Sequence, residues 1–373
     1  MVKRLPRQLV QLLRVLSRGV RSRRDWQGLK GACSSLSSVP LLEMAMGAWV
    51  SQAIYVAAKL GIADVLSDGP KSCDEIATVT RTPGPSLSRL LRALRSLGVL
   101  GTVEGGKFEL TALGGPLQAK RPGSLRALVL TLGETHYAAW GALLHSVKTG
   151  APAFPSVFGA RLFEYLDQDR DAGDTFQEAM SDVSALVSQA VILAYEFSGI
   201  HLLADVGGGC GQFLMAILDA VPDMCGILLE TPAVIAAATK KLASHPCRQR
   251  CALLPGNLLE AVPQGASAYL MSGVIHDWDD EQTIRILDNC RRAMAPNGKV
   301  LVVEMVLPSR DAPSFAALLD LNMLVMNGGR ERTEEDFRQL FDAAGLQVTR
   351  LIPTLAPQWV IEGTRRGIPR RCR

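Results

Sequence analysis

The chain is poor in several things that would otherwise direct its reading. None of its eight cysteines (Cys33, Cys73, Cys210, Cys225, Cys247, Cys251, Cys290, Cys372) forms a C-x-x-C pair. His245 and Cys247 beside Cys251 supply no second ligand pair at zinc spacing, so neither a metal site nor a disulfide framework is expected, and the thiols read as reduced. No run of about 18 apolar residues is free of charge, so no membrane span is expected. Acids are nearly missing from the first thirty positions, where Asp25 stands against nine Lys and Arg residues. That arm also lacks the apolar segment of a secretory signal. Its Arg-rich, amphipathic character fits a mitochondrial transit peptide or a membrane-surface helix, but a solvated arm, or one packed on a dimer partner, is the plainer expectation and places the protein in the cytoplasm. Five basic residues close the C-terminus; without both termini the net charge of +4 becomes −9, which argues against a nucleic-acid-binding body.

What is present is 48% apolar residues in 373, enough for a sizeable core and for more than one domain. Leu41 to Leu66 carries apolar residues at helical spacing, with Gly61 as a stop signal. Ser72 with Glu75 forms a capping box, Thr82 to Pro85 a turn, and Ser86 to Leu97 a second helix. Val99-Leu100 and Phe108 to Leu110 read as short strands joined at Gly105-Gly106, completing a winged-helix pattern. Arg89, Arg92 and Arg95 lie along one stripe of the second helix and raise a DNA-binding reading, which the Leu-rich opposite face and the acidic body disfavour. Pro122 to about Phe197 reads as helical. From His201 onward short β-rich runs alternate with helices, which predicts a doubly wound α/β sheet whose last two strands, lacking a helix between them, include an antiparallel one.

The first of those strands runs into Asp205-Val206-Gly207-Gly208-Gly209-Cys210-Gly211. Glycines permit the positive φ of a tight turn and leave room for a ligand. Glu230 closes the next strand, where a carboxylate can accept both hydroxyls of a ribose. A nicotinamide fingerprint needs a third glycine at position 212, which is Gln212. The G-x-G-x-G spacing led by Asp205 is instead typical of S-adenosylmethionine sites.

His276 follows the fourth strand of this region, at the edge where such sheets bind ligands, and acids flank it. Glu304 ends the next strand and Glu331 follows a Gly328-Gly329 turn. An imidazole with two carboxylates from three chain segments is a general-base constellation. No metal is expected from the spacing. Trp140, Met180, Met323, Met326 and Asn327 suggest a flat, mainly apolar acceptor.

Together DVGGGCG, HDWDDE, NGKVLVVEMVLP and GGRERTEEDF resemble the plant caffeate/flavonoid-type and bacterial polyketide O-methyltransferases, a family that includes the acetylserotonin enzyme. The likeness runs from about Leu41 to Gly363. It implies a winged-helix-like dimerisation domain (41–120), a helical, substrate-lining linker (121–198) and a Rossmann-like methyltransferase domain (199–363), between the basic arm (1–40) and basic tail (364–373) that the charge distribution marks. It implies His276 as base with Glu304 and Glu331 behind it. It also implies cofactor contacts at Asp205, Gly207, Gly208, Gly209, Glu230, Gly256, Asn257, Leu258, Ser272 and Trp278. The chain departs from the family at Asn257, where Asp is common, and at Ser272, where plant members have Lys; Glu230 stands for the plant Asp. The expected activity is methyl transfer from S-adenosylmethionine to a hydroxyl of a small, aromatic acceptor by a homodimer. A winged-helix regulator without catalysis and a nicotinamide oxidoreductase are the rival readings.

Overall fold

A computed structural model describes residues 38–309 and 314–366. The basic arm, with the transit-peptide reading attached to it, lies outside them, as does the tail from 367. By internal packing the chain divides into residues 1–53 and 54–373. The described part of the first unit is helical, with Ser38–Ala45 followed by the start of Gly47–Lys59. Leu41, Leu42, Met44, Trp49 and Val50 are all exposed there. The expected helix from Leu41 is broken at Met46, and it stops before Gly61, whose φ is +65°, where its stop signal stood. The helical stretch Pro40–Lys59 is, by length and composition only, apolar enough to cross a membrane. Counting charge-free runs passes over it because Glu43 interrupts the run.

In the second unit, Ser72 Oγ accepts from the Glu75 amide and the Glu75 carboxylate accepts from the Ser72 amide, which starts Cys73–Thr80. Helix Gly84–Ser96 buries Leu87, Leu91 and Leu94 and leaves Arg89, Arg92 and Arg95 exposed. The wing is a two-stranded antiparallel sheet of β1 (Leu100–Thr102) and β2 (Phe108–Leu110). Gly105 and Gly106, at φ 77° and 72°, make the turn. The helical stretch that follows ends in the 25-residue helix Arg170–Ala194, capped by Asp169.

The remaining strands are β3 (Leu202–Val206), β4 (Cys225–Glu230), β5 (Cys251–Pro255), β6 (Ala268–Ser272), β7 (Lys299–Leu307), β8 (Arg332–Thr333), β9 (Leu346–Pro353) and β10 (Gln358–Arg365). They lie in the order β5-β4-β3-β6-β7-β10-β9, with the two-residue β8 on β7. β3 to β7 are mutually parallel, and β10 runs antiparallel to both β7 and β9. Buried helices cover both faces, so central strands read as nearly continuous apolar runs. Val300 and Val302 pack into one core, Leu301 and Val303 into the other. The chain turns outward at β3 and returns at β6, so the crevice for a ligand opens at their C-terminal ends.

The tail begins later than expected. Arg365 is a strand residue whose guanidinium donates to the carbonyls of Arg291, Met294 and Ala295, at the end of helix Asp280–Ala293. A helix C-terminus presents unpaired carbonyls and favours a cation, and this contact draws the arginine into the fold.

Candidate active site

The crevice gathers the two sequence constellations at the ends of adjacent strands. At the end of β3, Gly207, Gly209 and Gly211 take φ values of 74°, 57° and 79°. Gly208 is required for another reason: a Cβ there would stand 2.1 Å from Asp205 Oδ2. Asp205 is fully buried, and neither carboxylate oxygen meets a hydrogen-bond partner among the described residues. Burial, aided by the neighbouring charge of Glu230, pushes its pKa up to about 7. Glu230 accepts the Gly209 amide on Oε1 at 3.1 Å and the Thr231 amide on Oε2 at 2.7 Å. Burial still raises its pKa against those two bonds. A locked acid beside an orphaned buried carboxylate suits a cationic nucleoside, as S-adenosylmethionine is.

Beyond β4 and β5 the side chains are less committed to a ligand. Gly256 is tight against Leu229, and Leu258 is half-buried beside the glycine turn. Asn257 uses its amide within its own turn, donating to Glu260 and accepting from Leu259 N. Ser272 ends β6, and Trp278 packs against the core below.

After β6 the chain turns at Gly273 (φ 62°) into the single 3₁₀ turn Ile275–Asp277. Glu304 is the one charged side chain of β7 beyond Lys299. By strand alternation it shares the face of Val300 and Val302, which brings it under this turn. Its Oε1 accepts the amides of Val274 and Ile275 at 2.9 and 3.0 Å, and its Oε2 lies 3.5 Å from His276 Nδ1. Glu331 comes closer: Oε1 is 2.8 Å from Nδ1, while Oε2 is buried without a partner. Burial alone would push the imidazole pKa down, but Glu304, Asp277 and Glu331 outweigh it and hold it up at about 10. Burial pushes Glu304 up to about 7 against the pull of His276.

His276, Glu304 and Glu331 thus converge, and their donor atoms all lie within 4.8 Å of one another. A second such group, Asp219 with His245 and Cys247, forms around the end of helix Gln212–Ala220. The sequence motifs had already joined the first set; the second escaped them because Asp219 lies more than twenty residues before His245 and Cys247. In the second, His245 Nδ1 is hydrogen-bonded to Cys247 Sγ at 3.2 Å in a 3₁₀ cap, and its Nε2 lies at ion-pair distance, 3.6 Å, from Asp219. In the first, the 2.8 Å separation is that of a charge-assisted hydrogen bond.

The five acceptor-side residues are not gathered alike. Trp140 donates from Nε1 to Asn322 Oδ1 at 2.8 Å, and Met323 is buried on the same helix, Phe315–Met326. Met326 is packed among Phe154, Leu162 and Val325, and Met180 is exposed on its helix. Asn327 spends its amide on Asp277 and on the Gly329 N–H, so it shapes the loop rather than offering a free group. Sequence reasoning passed over Asp277, which lies 3.9 Å from His276 Nε2, although the acids flanking His276 were its signal.

A doubly wound sheet with a glycine turn, a ribose-spaced acid and a carboxylate-backed histidine defines a nucleoside-dependent transferase. Residues 140–347 match the family model of the O-methyltransferase domain, and residues 42–117 that of the O-methyltransferase dimerisation domain. The chain belongs to this family of S-adenosylmethionine-dependent O-methyltransferases. It is 43% identical over 327 residues to a phenazine O-methyltransferase of Lysobacter antibioticus, covering 88% of this chain and 96% of that one. It is 39% identical over 310 residues to a 3-amino-4-hydroxybenzoate 4-O-methyltransferase of Streptomyces cremeus, covering 83% and 85%. Human N-acetylserotonin methyltransferase, solved with S-adenosylmethionine, is similar with a TM-score of 0.84 at 26% identity, over 90% of this chain and 99% of that one. The protein is an enzyme, an S-adenosylmethionine-dependent O-methyltransferase. The regulator and oxidoreductase readings find no support among these relatives.

Proposed function

We propose that His276 is the general base of the transfer, with Glu304 and Glu331 holding it, and that the acceptor is a phenolic hydroxyl. The observation that carries this is the 2.8 Å contact between His276 Nδ1 and Glu331, which leaves Nε2 as the ring nitrogen able to take a proton. Nε2 looks toward Gly273, where even a Cβ would stand 3.8 Å away. S-adenosylmethionine, when bound, supplies a methyl already activated on a sulfonium. The protein's share is to align the acceptor oxygen and remove its proton. As Nε2 takes the proton, Nδ1–H donates to Glu331, and the carboxylates stabilise the imidazolium that results. At the cofactor end, Asp205, Gly207, Gly208, Gly209 and Glu230 carry binding, with Gly256, Asn257, Leu258, Ser272 and Trp278 as surrounding wall. Trp140 and Met323 line the acceptor side. The test is His276→Ala on a series of phenols. Cofactor affinity should persist while the rate falls about 10²–10⁴-fold for weakly acidic phenols and less for acceptors already ionised at the assay pH. An equal loss across the series would remove the base assignment.

We also infer a homodimer and a cytoplasmic location. The dimerisation-domain match and the exposed Leu41, Leu42, Met44 and Trp49 support the first. The bacterial biosynthetic relatives support the second and lend nothing to a mitochondrial one. Light scattering should return twice the chain mass of 40.1 kDa; a particle of the single mass at micromolar concentration would rule the dimer out.

A further inference from the structure

The GGRERT segment carries one residue that the base constellation leaves unused. Arg332, the first residue of β8, is only 1% exposed. Its Nη1 donates to the Ile275 carbonyl at 2.7 Å, and its Nη2 to the Trp278 carbonyl at 2.8 Å. Those two carbonyls flank His276 and Asp277. Nε and Nη2 reach Asp280 Oδ1 at 3.2 and 2.9 Å, and Nη2 also reaches Thr283 Oγ1. The residues just before Arg332 grip the same turn from above. The Arg330 amide donates to the His276 carbonyl at 2.8 Å, and a Cβ at Gly329 would stand 2.0 Å from that oxygen.

We propose that Arg332 is a positioning residue for the base, its buried guanidinium fixing the 275–278 turn so that the His276 ring meets Glu331 and Glu304 squarely. The geometry demands arginine. Only a planar fork with five N–H donors can hold two carbonyls and a carboxylate at once; a lysine offers a single ammonium and cannot span them. Arg332 acts through the backbone of the turn and not by touching cofactor or acceptor. The titratable groups facing His276 are Glu304 from β7, Glu331 from the strand-leading loop and Asp277 from its own turn. Asp280, shared by Arg330 and Arg332, anchors the far side of the guanidinium.

The inference rests on the reading of His276 as base, so its test uses a readout independent of turnover. Histidine ¹⁵N resonances of the full-length enzyme, saturated with S-adenosylhomocysteine, report the His276 titration directly, assigned by comparison with His276→Gln. A cation acting through charge alone would leave that titration unchanged in Arg332→Lys and move it up in Arg332→Met, since removing a nearby positive charge favours imidazolium. A lost alignment moves it down in both, because the ring no longer meets its carboxylates. We expect the downward shift in both variants. We also expect kcat for weakly acidic phenols to fall at least tenfold in Arg332→Lys, with acceptor KM and cofactor affinity within about twofold of the parent. An unchanged titration in Arg332→Lys, or an upward one in Arg332→Met, overturns the proposal. Should these variants fail to fold, Asp280→Asn loosens the guanidinium from its exposed end. It should give the same downward shift at smaller size, and a parental titration there also overturns the proposal. A shift without the acidity gradient in His276→Ala would leave the positioning role standing and remove the base.

Discussion

His276 and His136 are both imidazoles withdrawn from water, and their surroundings drive them in opposite directions. His136 sits on the π-type turn Leu132–His136, where burial pulls its pKa down to about 4 against a weak opposing bond to the Thr131 backbone. Its Nδ1 also lies 3.4 Å from the Thr135 hydroxyl, a neutral partner. Burial also works against the charged form of His276, yet three carboxylates lift it to about 10. Burial disfavours the charged form in both; only a partner of opposite sign reverses the outcome. One histidine is thereby kept neutral as packing, and the other is made a strong proton acceptor.

The sharpest break of this comparison is to delete each ring. His276→Ala should cost about 10²–10⁴ in rate. The corresponding loss of His136 should leave the form of the pH–rate profile as it was.

The next effect lies at the cofactor end, where carboxylates are buried without a cation of their own. Glu230→Ala removes an acceptor locked by two amides, and a charge-assisted bond is worth about 1.5–3 kcal/mol. Calorimetry should show S-adenosylmethionine affinity falling by about 10–100-fold; equal affinity would discard Glu230 as a cofactor contact.

Glu331→Gln sharpens the account of His276 itself. Below its raised pKa the free enzyme's imidazole already holds a proton and cannot take another, so kcat/KM should rise with pH along an acid limb lying above the ordinary 6.5. Removing one carboxylate destabilises imidazolium and lowers that pKa, so the acid limb should move to lower pH while the plateau rate falls. A limb that stays in place would deny Glu331 its electrostatic part.

The smallest effect belongs to His136. Its folded-state pKa lies below the ordinary 6.5, so as pH falls from about 6.5 to 4 the unfolded chain takes up the proton first. Stability is complete above that window and declines through it. Melting temperature should therefore drop more steeply between pH 6.5 and 4 in the parent than in His136→Gln, and parallel curves would show that the ring is not held neutral.

Much of the architecture was legible from local pattern. The capping box at Ser72, the wing at Gly105-Gly106 and the runs from Leu202 onward depend on neighbours within a few residues, and the strands lie where alternation put them. The antiparallel final strand followed from the missing helix between β9 and β10. Two elements were not legible. β8 is two residues long, too short for any period, and exists because β7 extends beyond its other partners to meet it at Val306 and Leu307. The break in the apolar stretch at Met46 is followed directly by Gly47, but one glycine inside a helical pattern is tolerated and does not by itself announce a stop.

At the site the division is the same. The Asp205–Gly211 turn and Glu230 belong to one strand-turn-helix-strand unit, so their spacing was enough to place them side by side. The identity of His276, Glu304 and Glu331 as a set was readable from motifs, but their order of intimacy was not. That Glu331 bonds the ring while Glu304 holds the turn's amides depends on where β7 ends and how closely Gly329 approaches the His276 carbonyl. Arg332 shows the limit most plainly. In sequence it is one more basic residue among forty Lys and Arg; only the packing of β8 beneath the turn buries its charge and aims its donors at two carbonyls more than fifty residues away. Local sequence sets which conformations a segment can take. Which distant partners then meet, and so which charges are raised, lowered or neutralised, is decided when the sheet closes and water leaves.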